Sequence, residues 1–286
     1  MTTALSRTRP TKPAVASVHA LTVRAAERLS PGFARVTLGS DDPGLVGEYA
    51  AVGFDQWFRL FLPGPDGGLV LPSGPIEGWY GRWQAIPEER RPVVRNYTVR
   101  EARRVEGHCG AWELDVDFVV HRSATTGRVE GAAAGWALEA VAGERVGEQV
   151  GLLDQGRIFA AEDHPGPVLV VADETGLPGV EGIARDLGAR GRDDVTYLLE
   201  VPDRADRRDL PAAARARTTW VVRSPHDRAG DGLLRLLAGR EIDPATSVYA
   251  VGESRLALGV RERARAAGVP DDLVDFCAYW RAGRRR

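Results

Sequence analysis

Near residue 160 the spacing of the apolar residues changes, and this change limits the possible folds more than any other feature of the chain. Between Val18 and Leu153 the apolar segments are short and separated by Gly and Pro, of which the chain has 33 and 18. In residues 112–120 apolar side chains take every second position up to Phe118, which predicts a half-buried antiparallel strand. Residues 56–62 and 93–99 also predict strands, bounded by turn residues. Several short strands without long helices predict a closed barrel or a sandwich. After Gly166, a continuous apolar run at 168–172 and apolar strand segments at 195–201, 220–222 and 248–251 alternate with helical stretches at 179–189, 233–237 and 255–267. A last apolar segment covers 273–280. That alternation predicts a parallel sheet covered on both faces. Residues 205–217, rich in Arg, Ala and Asp, predict either a surface helix or a loop. The expected organisation is a polar tail of about fifteen residues, a domain over 16–155 and a second over 166–286.

Charge and composition exclude several classes of function. Lys and Arg number 38 against 40 Asp and Glu, a formal charge of -2, so there is no overall basic field for nucleic acid. Lys12 is the only lysine, and anion recognition therefore falls largely to planar, permanently charged guanidinium groups. The start of the chain lacks the apolar core of a signal peptide, and no stretch is apolar enough to span a bilayer. A cytoplasmic monomer without stable membrane association is expected. Cys109 and Cys277 can form one long bridge at most, not a disulfide framework.

The usual catalytic fingerprints are missing. No Gly-x-Gly-x-x-Gly, phosphate-binding P-loop or Gly-x-Ser-x-Gly elbow occurs, and the five histidines are not at zinc spacing. What remains is Arg95-Asn96-Tyr97-Thr98-Val99-Arg100. As a strand it puts Arg95, Tyr97 and Val99 on one face and Asn96, Thr98 and Arg100 on the other. An aromatic ring beside a guanidinium and a hydroxyl can stack a flat heterocycle and hold a phosphate. The same residues also suit an exposed strand with two solvated arginines.

Further along, Gly131-Ala132-Ala133-Ala134-Gly135 precedes a helix-compatible Trp136-Ala137-Leu138, so backbone N–H groups can approach a pyrophosphate. His121 falls at a strand end. Asp173-Glu174-Thr175-Gly176-Leu177-Pro178 follows an apolar strand and opens a helix, at the carboxyl edge where parallel sheets bind ligands. Inward-pointing Asp173 and Glu174 would repel phosphate, so at least one is expected to face away or to bond to backbone. Capping of the helix by Asp173 or Thr175 is the simpler role, and it can coexist with ligand binding.

These segments, taken in order, resemble the siderophore-interacting proteins, ferric-siderophore reductases related to ferredoxin–NADP reductases. Residues 95–100 resemble that family's Arg-x-Tyr-Thr-x-Arg flavin motif, and 55–63 the strand before it. Residues 117–121 resemble its Asp-Phe-Val-x-His stretch, and 131–137 its Gly-x-Ala-x-x-Trp-Ala loop. Residues 172–178 resemble its Gly-Asp-Glu-Thr-Ala-Leu-Pro signature. Gly252-Glu253 and 279–283, Tyr279-Trp280-Arg281-Ala282-Gly283, resemble its two C-terminal signatures. The likeness runs from about Val18 to the C-terminus. It departs from the family pattern at Ala172, Gly176 and Ala278, and at Asp154-Gln155-Gly156 at the domain junction.

The resemblance implies a ferredoxin–NADP reductase-like fold: an N-terminal antiparallel β-barrel that binds FAD, and a C-terminal α/β parallel-sheet domain that binds NADPH or NADH. It implies that Arg95, Asn96, Tyr97, Thr98, Val99, His121, Ala132, Ala133, Ala134 and Trp136 meet the flavin cofactor. On the nicotinamide side it implies Asp173, Glu174, Thr175, Gly176, Leu177, Pro178, Gly252, Glu253, Tyr279 and Trp280. In related reductases a terminal aromatic covers the flavin, but Tyr279-Trp280 equally suits a packed aromatic pair. Arg59 and Arg281 resemble cations near the iron-chelate pocket, with Arg122 and Arg128 as further candidates, and each arginine equally suits a solvated surface.

The reaction implied is reduction of a ferric siderophore by hydride from nicotinamide passed through FAD, with Fe(II) released. No protein group is required as nucleophile or acid, and no protein metal site is expected. Reduced ferredoxin is an alternative donor. Two other readings stay open at this point, a flavin reductase serving another acceptor and a siderophore carrier without enzymatic activity.

Overall fold

The computed structural model describes residues 11–14, 16–40, 42–105, 111–123 and 126–283. Residues 1–10 and 15 of the expected tail, and Cys109, lie outside these, whereas Lys12 of that tail is described and donates to Gln155 O at 3.1 Å. The chain divides into two compact units, Lys12–Arg157 and the part from Ile158 onward.

In the first unit, seven antiparallel strands make one sheet. They are β1 (His19–Ser30), β2 (Phe33–Ser40), β3 (Trp57–Leu62), β4 (Val93–Thr98), β5 (Glu101–Arg104), β6 (Trp112–Val119) and, counted after two short pieces, β9 (Gln149–Asp154). The pieces β7 (His121–Arg122) and β8 (Val129–Glu130) form a separate hairpin. The sheet order is β4-β3-β9-β1-β2-β6-β5. Its two edges belong to consecutive strands, and the link between them serves both: Val99 N–H donates to Gln56 O and Arg100 N–H to Asp115 O. Those two bonds curl the sheet into a barrel. Its core holds Leu21, Val36, Leu38, Phe58, Leu60, Leu114, Val116, Phe118 and Leu152, joined by Trp136 and Ala137 of helix α3 (Ala132–Val141). Two short helices complete the unit, α1 (Pro43–Glu48) and α2 (Trp79–Gln84).

Two local readings change. Strand β6 is buried on both faces, not half-buried, because its polar face is covered by ion pairs. Arg35 Nε donates to Asp117 Oδ1 at 2.7 Å, Thr37 Oγ1 to Asp115 Oδ1 at 2.8 Å, and Arg103 Nη1 to Asp115 Oδ2 at 2.8 Å. Alternation in the sequence records polarity, and a carboxylate with partners can be as buried as a leucine. The small residues from Ala132 to Gly135 are also not a loop ahead of a helix. They are the first turn of α3 itself.

In the second unit the strands are β10 (Val168–Ala172), β11 (Val195–Val201), β12 (Thr218–Val222), β13 (Ser247–Glu253) and β14 (Val274–Trp280). All pair in parallel, in the order β12-β11-β10-β13-β14. Central β10 is buried at every residue, as its unbroken apolar run requires. Helices α4 (Leu177–Ala189), α5 (Ala212–Ala216), α6 (Asp231–Ala238) and α7 (Ser254–Ala266) make the connections. Leu233, Leu237, Leu256 and Val260 pack with Leu169, Val171 and Val248 of the sheet. Residues 205–217 contain both structures expected of them, since α5 follows a loop. Among the described residues no helix is long and apolar enough to cross a membrane.

Candidate functional site

On the barrel, β4 pairs with β3 so that Asn96 faces Arg59 and Tyr97 faces Phe58. Tyr97 turns its ring toward the core, 4.2 Å from Phe118, which lies 5.6 Å from Trp136 of α3. An aromatic row thus joins the Arg-x-Tyr-Thr strand to the Gly-x-Ala-x-x-Trp helix. Burial raises the Tyr97 hydroxyl well above its ordinary range, so it stays protonated and able to donate. Trp136 is itself anchored, its Nε1–H donating to Glu148 Oε2 at 2.6 Å. Asn96 is exposed and accepts from Arg59 Nη1 at 3.2 Å. Arg95 is half-buried and donates to Val94 O, while Thr98 and Val99 are buried at the end of the strand.

Helix α3 follows the N-cap residue Gly131, whose φ of 91° is positive, and no side chain caps it. Ala132 is exposed, and Ala133 and Ala134 are buried. His121 is half-exposed in the β7–β8 hairpin opposite Glu130. Arg122 and Arg128 are exposed in the same hairpin region, where Arg122 donates to Gly127 O.

The second unit gathers its residues around one carboxylate at the carboxyl edge of β10. Asp173 is fully buried. Its Oδ1 accepts from Thr175 N–H at 2.9 Å and Thr175 Oγ1 at 2.6 Å. Its Oδ2 accepts from Glu253 N–H at 2.6 Å and Trp280 Nε1 at 3.0 Å. Burial and the neighbouring Glu174 charge push this carboxyl up from 3.8 to about 7, against those donors. Gly252, at φ 129°, has to be glycine, since a Cβ there would lie 2.5 Å from the Asp173 carboxyl carbon. Glu253 in turn accepts from Ala282 N–H at 3.1 Å, which fixes the chain just past Trp280. Tyr279 and Tyr249 share a hydroxyl contact of 3.3 Å, and Arg281 is exposed.

Glu174 takes a different role from its neighbour. Arg223 donates to its carboxylate, with Nη1 3.1 Å from Oε1, and through Nε to Glu200 Oε1 at 2.8 Å. Both carboxylates are fully buried. Glu200 Oε1 also accepts from Gly230 N–H at 2.8 Å. Nothing in the sequence pattern marked Arg223 or Glu200, which lie 49 and 26 residues from Glu174. The expected difficulty of two carboxylates in this turn is resolved by backbone donors for Asp173 and by an arginine for Glu174. Leu177 and Pro178 are buried at the start of α4, and Gly176 is packed against Val251 and Ala172, so it offers no open backbone face.

Residues 22–152 match the family model for the siderophore-interacting FAD-binding domain, and residues 166–283 match the model for siderophore-interacting protein. The chain is also 30% identical over 267 residues to the NADPH-dependent ferric-chelate reductase of Escherichia coli K12, covering 92% of each protein. The chain belongs to the siderophore-interacting protein family. Ferric vibriobactin reductase ViuB of Vibrio cholerae is 27% identical to it over 270 residues, covering 90% of this chain and 86% of ViuB. Among solved structures, a siderophore utilization protein from T. fusca superposes with a TM-score of 0.72 at 26% identity, covering 96% of each chain. The ferredoxin reductase in carbazole 1,9a-dioxygenase shares this fold at 20% identity, with a TM-score of 0.59 over 94% of this chain and 71% of that one.

The barrel residues fit the FAD that this family's domain takes. A methyl built on Gly131 or Gly135 would meet nothing within 4 Å, so the uncapped start of α3 is open to a phosphate. Phe118 and Trp136 lie in the buried barrel core, with Tyr97 packed against it.

Proposed function

We propose that this protein reduces ferric siderophores, with FAD held by residues 16–155 and NADPH or NADH held by residues 166–286. The single observation that carries this reading is the aromatic row from Tyr97 through Phe118 to Trp136, which unites the two flavin signatures through the barrel core. Tyr97, Thr98 and Val99 would bind the flavin, with Arg95 and the N–H groups of Ala132, Ala133 and Ala134 on its phosphates. Asn96, His121 and Trp136 complete the set. Bound FAD supplies the conversion between a two-electron donor and a one-electron acceptor.

At the sheet edge, Thr175 and the turn to Pro178 would receive the nicotinamide dinucleotide. Asp173 orients this turn and, through Glu253 N–H and Trp280 Nε1–H, holds the end of β14 against it. Ferric chelates are commonly anionic, and Arg59 and Arg281 attract them. Iron leaves as Fe(II) because hard oxygen ligands hold it less tightly than Fe(III). No side chain has to act as nucleophile or acid.

The FAD-loaded protein, mixed anaerobically with NADPH or NADH, a ferric siderophore and an Fe(II)-trapping dye, tests the reading. Fe(II) should appear at two per nicotinamide oxidised. Nicotinamide oxidation without trapped Fe(II) would overturn it.

A further inference from the structure

At the α1 end of the barrel lies a cleft that the flavin reading leaves unused. Leu45 and Leu152 give it apolar walls, and Ser17, Glu48, Tyr49 and Asp154 give it polar ones. The space it leaves for a solvent centre is about 10 Å³, which suits one water molecule and no larger ligand. Tyr49 closes α1 as its C-cap, with its N–H donating to Leu45 O at 2.8 Å. Its side chain is buried and packs edge-on against Trp112, the ring centres 5.1 Å apart.

The Tyr49 hydroxyl is buried and makes no hydrogen bond to a protein group among the described residues, although Tyr49 as a whole is only 6% exposed. A buried hydroxyl in that state is destabilising. It is a donor, because burial and then the charge of Asp154 hold its proton well above the ordinary range. Asp154 is itself buried at the end of β9, where Oδ1 accepts from Gly156 N–H at 2.9 Å and Oδ2 from Gln56 Nε2 at 3.1 Å. A carboxylate has about four lone-pair sites, so this one can accept further bonds. Asp154 thus acts on the Tyr49 hydroxyl through space with no hydrogen bond between them. On the cleft's other side, Glu48 Oε2 contacts His19 Nε2 at 3.0 Å, and Oε1 has a long contact of 3.4 Å from Ser17 Oγ.

We propose that Tyr49, Asp154 and Glu48 bind one internal water, which accepts from the Tyr49 hydroxyl and donates to the two carboxylates. Three bonds are the usual complement of a buried water. The balance of donors and acceptors selects water over an ion. An anion would meet two carboxylates, and an ammonium ion or a metal cation has no lone pair for the Tyr49 hydroxyl to donate to. The bound water joins the end of α1 to the last residue of β9. Asp154 belongs to the junction segment in which the sequence departs from the family pattern, so the site is a property of this chain and not of that pattern.

A high-resolution crystal structure of the FAD-loaded full chain tests the site directly. A water should lie within about 3.2 Å of Tyr49 Oη and of a carboxylate oxygen of both Asp154 and Glu48. Thermal unfolding tests it independently, through the sign of one substitution. Tyr49→Phe keeps the ring against Trp112 and removes the donor that holds the water, so the barrel's Tm should fall by roughly 2–4 °C. Without a bridging water the same change would delete an unsatisfied buried hydroxyl, and Tm would rise or stay where it is. Asp154→Asn combined with Tyr49→Phe should lower Tm by less than the sum of the two single losses, because both act on one water. Circular dichroism identifies any variant that fails to fold, and the crystal structure of the unmodified chain needs no variant. No water at the site, a direct hydrogen bond from Tyr49 to a protein group, an unchanged or raised Tm in Tyr49→Phe, or strict additivity in the double variant would overturn the proposal.

Discussion

The methyl group of Ala172 lies 2.9 Å from the point where a Cβ on Gly176 would sit, so the two positions share room for one methyl. The family signature resembled by this turn carries glycine at the first position and alanine at the second, the reverse of the arrangement here. The exchange leaves one methyl group in the same space. Gly176→Ala alone would press on Ala172 and also on Val251 Cγ2, 2.6 Å away, and should destabilise by roughly 1–3 kcal/mol. The double variant Ala172→Gly/Gly176→Ala should recover part of that loss. Denaturant unfolding of the four proteins in a double-mutant cycle measures the coupling, and strict additivity would contradict a shared methyl site.

Asp173 links stability to pH with a definite sign. Its carboxyl is raised from 3.8 to about 7, so the folded state holds a proton that the unfolded chain has released. Its contribution is therefore fully present below about pH 4 and is lost as pH rises to about 7. Asp173→Asn cannot titrate. The stability of the unmodified protein relative to this variant should fall by roughly 4 kcal/mol across that window, read from unfolding curves at several pH values. Because Trp280 Nε1 bonds to the same carboxylate, the variant should also shift the indole fluorescence.

Arg223 stands between two fully buried carboxylates, Glu174 and Glu200. Removing it in Arg223→Met leaves both without their cation and should cost about 3–5 kcal/mol, seen as a large drop in Tm. Glu200→Gln keeps an oxygen for Gly230 N–H and leaves Arg223 paired with Glu174, so its cost should be clearly smaller.

Tyr97 separates stacking from hydrogen bonding. Tyr97→Phe keeps the ring against Phe118 and removes only the hydroxyl, so FAD affinity should drop by about tenfold or less. Tyr97→Ala opens the aromatic row and should lose flavin during gel filtration. Equal flavin content in both variants would contradict the placement of the ring at the cofactor.

Arg59 and Arg281 differ in exposure, and this should appear in their salt dependence. Arg281 is exposed, so Arg281→Ala should weaken an anionic chelate more than a neutral one, with the difference vanishing at high salt. Half-buried Arg59 is screened less, and the effect of Arg59→Ala should persist in part at high salt. Binding isotherms at low and high salt separate the two.

Much of the fold could be read from the chain because strand burial leaves a plain pattern. The unbroken apolar run of β10 belongs to a strand covered on both faces, and the change of rhythm before Gly166 separates barrel from parallel sheet. Strand β6 misled, since Asp115 and Asp117 read as solvent-facing until Arg35, Thr37 and Arg103 arrive from other strands. The flavin and turn signatures were legible as local motifs. Their partners were not: Glu148 anchoring Trp136, and Arg223 between Glu174 and Glu200, depend on contacts made only by the folded chain. Lys12 was conspicuous as the single lysine, but its place beside Trp57 became visible only in three dimensions.

The most direct test is the visible spectrum of the purified protein during anaerobic addition of NADPH or NADH and then a ferric siderophore. A flavin spectrum that bleaches with nicotinamide and returns only when the ferric chelate is added, with Fe(II) trapped, is the predicted result. A protein that is colourless and takes up no added FAD, or a bleached flavin that the ferric chelate does not reoxidise, would contradict it.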